Sequence, residues 1–217
     1  MKPEDRYRII KGYLEDIRRG ILNPVALPNL EGHIYVLFQQ HIKSRDEART
    51  DTLTGLPNYR GLSEILEREE ARSNRHKEPL TVGFVDFDNL KSYNDTYGHI
   101  QADHAICSVS QTIRKSLRKQ DILGRYTKGD EFCLVLPNTD LERARIVVDR
   151  ALEAVDQLSI DAVVKGFPDD NYKKVTISGG CTQLKETEDY LSALNRADKA
   201  MQTAKATTRQ RSSVTYV

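Results

Sequence analysis

From residue 62 onward the chain alternates helix-period and strand-period segments, and that order restricts the possible folds more than any other feature of the sequence. Leu62, Ile65 and Leu66 mark a first helix. The run "LTVGFVDFD" then places Leu80, Val82, Phe84 and Asp86 on one face, the period-two signature of a strand. Ile106, Val109, Ile113 and Leu117 recur at helical spacing and predict a helix beginning near Asp103. "GRYTKGDEFCLVLP" reads as two strands joined by a tight turn around Lys128 and Gly129. Leu141, Ala144, Val148, Ala151 and Val155 predict another helix, and "KKVTISGGC" a further strand. The last helix carries Leu191, Leu194, Ala197, Met201 and Ala204 and runs into a basic tail. Strands separated by helices, with one hairpin in the middle, predict an α/β (α+β) fold, a mixed sheet with helices packed on it.

The first 50 residues carry a different pattern. Tyr7, Ile10, Tyr13, Leu14, Ile17 and Ile21 give an amphipathic helix that Pro24 and Pro28 break. Leu30, Ile34, Leu37, Phe38 and Ile42 give a second. The pair is either two packed helices or a dimerisation and regulatory element, since the spacing also suits a short coiled coil. The Thr, Gly, Pro and Asn punctuation of "DTLTGLPN" marks a boundary, giving an N-terminal helical segment at 1–50 and a second domain at 51–217. A formal charge of +1, from 33 basic and 32 acidic residues, gives no global pull toward a nucleic-acid polymer or a membrane surface. Apolar runs are too short for a membrane span, and the acid-bearing N-terminus is unlike a secretion signal. Cys107, Cys133 and Cys181 lack metal-ligand spacing and read as buried thiols of a reducing compartment. The expected location is cytoplasmic.

Three acids stand out. Asp130 and Glu131 are adjacent, just after a glycine and directly before an apolar run, and Asp86 lies at the end of its strand. Singly, each reads as a strand terminus facing water. On neighbouring strands the three would converge, and clustered carboxylates repel unless a hard divalent cation neutralises them. Mg²⁺ takes one or two carboxylates and fills its shell with water and substrate phosphate. Lys91 follows Asp86 by five residues, and Lys205 and Arg209 are four apart at the end of the last helix. These cations suit triphosphate oxygens, or else complement a helix dipole. Asn94 offers a donor and an acceptor, and Asp103 can accept from two N–H groups at once, a pair that prefers guanine to adenine. Asp103 also reads as the N-cap of a helix starting at His104. His99 and His104 read as structural.

With "DTLTGLPN" from Asp51, "DFDNLKSYNDTYGH", "GDEF" at 129–132 and "AKATTR" near the end, the chain resembles the GGDEF domain of bacterial diguanylate cyclases. The resemblance runs collinearly from residue 51 to about 212. It implies a fold related to the nucleotidyl-cyclase palm and the condensation of two GTP into cyclic di-GMP with release of two pyrophosphates. It implies Mg²⁺ (or Mn²⁺) held by Asp86, the carbonyl of Phe87 and Asp130. Glu131 would support the metal or help deprotonate the attacking 3′-hydroxyl. Asn94 and Asp103 would bind guanine, and Lys91, Lys205 and Arg209 the phosphates. One GTP per domain implies a homodimer. Arg118 and Asp121 have the spacing and placement of the family's inhibitory product site, which would bind cyclic di-GMP.

The sequence departs from the family at its signature. Arg125 and Tyr126 are followed by Thr127, Lys128 and then Gly129, so one glycine of Gly-Gly-Asp-Glu-Phe is lost and one residue added. Within the strand, that insertion would turn Asp130 and Glu131 to the wrong face. Absorbed in the turn, it predicts a three-residue connection with Gly129 left-handed. Thr208 and Gln210 stand where the family often has Gly and Asn. The alternative to a working cyclase is a degenerate domain that acts as a receptor for GTP or cyclic di-GMP.

Overall fold

The computed structural model describes residues 48–126, 129–158, 175–207 and 212–217, with Lys11, Glu15 and Arg19. The chain divides into two compact units, 1–48 and 49–217. The helices expected before residue 48 lie outside the described residues, as do Thr127, Lys128, Thr208, Arg209 and Gln210.

The second unit is a five-stranded sheet in the order β2-β3-β1-β4-β5. Its elements are α1 (Tyr59–His76), β1 (Leu80–Phe87), α2 (Leu90–Tyr97), α3 (His99–Ser116), β2 (Ile122–Arg125), β3 (Glu131–Pro137), α4 (Leu141–Asp156), β4 (Ile177–Gln183), α5 (Tyr190–Thr207) and β5 (Ser213–Tyr216). β1 pairs antiparallel with β3 and β4, β2 antiparallel with β3, and β5 parallel with β4. One face of the sheet packs against α3 and α4 through Val85, Phe132, Leu134, Ile106, Val109 and Val148. The other packs against α1 and α5 through Val82, Phe84, Val135, Leu62, Leu66 and Leu194. The mixed sheet flanked by helices is the expected fold class.

Several details differ from the sequence reading, each for a tertiary reason. β1 is buried along all eight residues. Its alternation does not mark a solvent face, because helices cover both sides of a central strand. α3 begins at His99, not near Asp103, with Gly98 as its N-cap. Asp103 therefore lies inside the helix and caps nothing. Leu191, expected on the apolar side of α5, is 49% exposed. The end of the basic tail is a strand: Tyr216 donates its hydroxyl to Asp149 Oδ1 at 2.6 Å, and Arg145 stacks 4.8 Å above its ring.

β4 carries Gly179 and Gly180 because α5 lies directly on the sheet there. A Cβ on Gly180 would stand 2.2 Å from both the Ala197 carbonyl oxygen and the Met201 nitrogen. This close approach fixes the height of α5 and so the position of Lys205 in its last turn.

The three cysteines are free thiols. Burial pushes Cys133 up, and Cys181 up to about 12, so neither is a reactive thiolate at neutral pH. No described helix is long and apolar enough to cross a membrane.

Candidate active site

The strand ends gather the acids. Asp86 is the Cα partner of Glu131 across β1 and β3. Val82 and Phe84 pack on the α5 face, as do Cys133 and Val135. The two-residue period therefore puts Asp86 and Glu131 on that face too. The signature insertion does not disturb this register. Tyr126 donates its backbone N–H to the Glu131 carbonyl at 2.9 Å, so the connection consists of residues 127–130. That is one residue longer than expected, because β3 starts at Glu131 and leaves Asp130 in the loop.

Asp86 is 5% exposed, and its Oδ2 accepts from Lys205 Nζ at 2.8 Å. Burial raises its pKa, the Lys205 hydrogen bond opposes the rise, and the charges of Asp130 and Glu131 add to it, pushing the carboxyl up to about 6. Its Oδ1 is buried with no hydrogen-bond partner. An orphaned carboxylate oxygen held among like charges fits a divalent cation. Among the described residues no three His, Cys, Asp or Glu side chains form a closed metal cage. What fits such a site is a cation that takes one or two carboxylates and leaves its other positions to water and phosphate, as Mg²⁺ does.

The backbone beyond Phe87 is held by a residue that sequence reasoning missed. Asp88 accepts from the hydroxyls of Thr176 and Ser178, each at 2.7 Å. Asn89 then takes φ 59°, a left-handed conformation that Asn tolerates, and starts α2. Lys91 is exposed in the first turn of α2, and Asn94 is half-buried in its last. Asp103 is exposed on α3.

Arg125 was also missed as a site residue. It is 6% exposed, and its Nε and Nη2 donate to the Gly129 carbonyl at 2.9 and 2.6 Å. Its Nη1 donates to both Asp51 oxygens at 3.0 and 3.1 Å. One guanidinium thus ties the signature turn to the "DTLTGLPN" loop, 74 residues away in sequence. Nothing local signals such a pair. Burial pushes Asp51 up, but hydrogen bonds from Thr54 and Arg125 outweigh it and hold the carboxyl below its ordinary value. A carboxyl depressed in the folded state adds stability that is complete above its ordinary value of 3.8 and is lost as pH falls through the lower folded value. Urea titrations should therefore show Asp51→Asn less stable than wild type at neutral pH, with the gap closing in acid below 3.8. Arg125→Ala should cost about 2 kcal/mol in the same assay, and Arg125→Lys should recover little, because an ammonium cannot fork to two partners.

Arg118 and Asp121 lie in the turn between α3 and β2. Asp121 is 2% exposed, and its Oδ2 accepts from the Arg118 backbone N–H at 2.9 Å. Its Oδ1 is buried without a partner, while the Arg118 residue is exposed. The acids and Lys205 therefore come together at one end of the sheet. Asn94 with Asp103, and Arg118 with Asp121, occupy α2–α3 and the α3–β2 turn, and Arg209 lies outside the described residues.

The chain has known relatives. The family model "Diguanylate cyclase, GGDEF domain" matches residues 48–211. Diguanylate cyclase DgcP of Pseudomonas aeruginosa is 36% identical over 175 residues, 80% of this chain and 25% of that protein. Diguanylate cyclase DosC of Escherichia coli is 33% identical over 168 residues, 77% of this chain and 35% of that protein. The chain thus spans between 25% and 35% of the length of these curated relatives. Among solved structures, diguanylate cyclase SiaD of Pseudomonas aeruginosa, in complex with its activator SiaC, superposes with a TM-score of 0.70 at 30% identity, covering 99% of this chain and 78% of that one. The coiled coil and GGDEF domain of DgcB from Caulobacter crescentus, in complex with c-di-GMP, shares the fold, with a TM-score of 0.76 at 24% identity over 86% of this chain and 95% of that one. By the match to its family model and by these relatives, the chain belongs to the GGDEF-domain diguanylate cyclase family.

Proposed function

We propose that this chain is a diguanylate cyclase that condenses two GTP into cyclic di-GMP. The observation that carries the reading is the buried, unpartnered Oδ1 of Asp86, set on the same sheet face as Glu131 and repelled by both signature acids. The 3′-hydroxyl oxygen of one GTP attacks the α-phosphorus of the other. The new phosphodiester bond forms as the α–β anhydride bond breaks, pyrophosphate leaves, and a second such step closes the ring. A divalent cation, Mg²⁺ or Mn²⁺, supplies charge stabilisation on the α-phosphate when bound by Asp86, Asp130 and the Phe87 carbonyl. Glu131 takes the proton of the attacking hydroxyl. Lys91, Lys205 and Arg209 hold the triphosphate, so that charge on the leaving pyrophosphate is compensated. Asp103 accepts from guanine N1–H and the 2-amino group, and Asn94 completes the reading of the base. Because each domain holds one GTP, two domains must face each other, and the working species is a homodimer. Cyclic di-GMP binding at Arg118 and Asp121 limits the accumulation of product.

The test is incubation of the full chain with GTP and Mg²⁺ and chromatography of the products, beside Asp130→Ala. The expected result is cyclic di-GMP from wild type and none from the variant. A folded wild-type protein that yields no cyclic di-GMP overturns the cyclase and leaves the receptor reading. In the same assay Arg118→Ala should stay active at product concentrations that stop wild type.

A further inference from the structure

Asp86 has a neighbour on each side across the sheet. Glu131 is its Cα partner on β3, and Ser178 is its Cα partner on β4. Ser178 alternates with Gly180, which lies under α5, and with Thr182, whose hydroxyl accepts from Arg196 of α5. It therefore shares the α5 face with Asp86. Directly opposite residues on one face of an antiparallel pair hold their Cβ atoms about 5 Å apart, close enough for a hydroxyl to meet a carboxylate. Ser178 is fully buried, so its one hydroxyl proton needs an acceptor within the protein. That acceptor is not Asp86, whose Oδ1 is buried without a partner among the described residues. It is Asp88 Oδ1, at 2.7 Å. Thr176, also buried, gives its hydroxyl proton to Asp88 Oδ2 at 2.7 Å. A carboxylate can only accept, so both protons are committed to Asp88.

We infer that Asp88 is a positioning residue for the cation at Asp86: by drawing the Ser178 hydroxyl to itself, it keeps a donor off Asp86 Oδ1 and leaves that oxygen open to metal. The inference rests on the cation reading proposed above and deepens it. A carboxylate oxygen that accepts a hydroxyl proton presents hydrogen where an ion would sit, and the ion must break that bond to bind. Groups behind a metal's own partners set its affinity in this way. Both oxygens of Asp88 are filled, whereas one oxygen of Asp86 is open. Of two acids only two residues apart, Asp86 is thus the metal's partner and Asp88 its support.

The test is titration of the full chain with Mn²⁺ alone, followed by electron paramagnetic resonance of the free ion, with Asp86→Asn as the control for binding elsewhere. Asp88→Ala frees the Ser178 hydroxyl, and Asp88→Ala with Ser178→Ala then removes it. The expected result is about tenfold weaker Mn²⁺ binding in Asp88→Ala and recovery of most of that loss in the double variant. Ser178→Ala alone should bind as tightly as wild type, although it loses the same hydrogen bond to Asp88. Wild-type affinity in Asp88→Ala overturns the assignment and leaves the cation reading intact. A double variant as weak as Asp88→Ala means that lost charge, not a freed hydroxyl, is the cause, and overturns it too. Weakening in Ser178→Ala assigns Asp88 to holding β4 in place and again overturns it. If thermal melts show Asp88→Ala unfolded, Thr176→Val with Ser178→Ala strips Asp88 of both hydrogen bonds while freeing no proton. Undiminished Mn²⁺ binding there upholds the assignment, and a loss overturns it. Wild type binding no better than Asp86→Asn overturns the cation reading itself, and the role of Asp88 with it.

Discussion

Asp86→Asn should reduce cyclic di-GMP synthesis by about a thousandfold, the equivalent of roughly 4 kcal/mol of barrier stabilisation, while its thermal unfolding midpoint stays level with wild type or rises. The two halves of this expectation have different causes. The amide keeps the shape of the carboxylate but loses the charge that would balance a cation on the α-phosphate. Loss of activity therefore follows without loss of packing. Stability does not fall because the charged form of Asp86 is already disfavoured. It is 5% exposed, it lies near two other acids, and its pKa is pushed up to about 6. The ion pair that the substitution breaks offsets little, since the Lys205 side chain is 39% exposed and regains water when it loses its partner. Product chromatography and a circular-dichroism melt on one preparation measure both halves. Near-normal turnover in a folded Asp86→Asn protein would remove this carboxylate from the chemistry.

The second large effect concerns stability. Gly180→Ala should destabilise the second unit by about 3 kcal/mol, at the upper end of what overpacking costs, and should shift the urea midpoint accordingly. The added methyl meets backbone of α5 at 2.2 Å, and backbone cannot rotate away as a side-chain tip can. Gly55→Ala provides the contrast. Gly55 has φ 70° with nothing within 4 Å of a built Cβ, so only conformational strain opposes the substitution. That loss should be about 1 kcal/mol. Equal effects at the two positions would mean that α5 yields readily. In that case Gly180 would not set the height of Lys205.

The period of each segment was enough to find α1, α4, α5 and the central strands, because repeated burial of one face writes itself into neighbouring residues. Asp86, Asp130 and Glu131 were legible for a related reason: charges beside apolar runs are conspicuous, and the β1–β3 pairing needs only that the two segments be neighbours. The family resemblance then supplied roles that spacing alone left open.

Other parts of the site could not be read along the chain. Arg125 meets Asp51 across 74 residues, and Asp88 meets Ser178 across 90. A partner so distant leaves no trace in the local pattern of either residue. β5 escaped because a four-residue strand at a sheet edge is too short to show a period, and the parallel neighbour β4 is what makes it a strand. Gly98 was visible as a letter, but its backbone angle, which turns His99 onto Asn94, is set by the packing of α2 against α3. The sequence by itself determined the alternation of elements, the class of fold and the acids of the site, since these depend on near neighbours and on charge. Only the tertiary structure decided which of those groups meet, at what distance, and which oxygen is left buried without a partner, because those contacts join residues the chain keeps far apart.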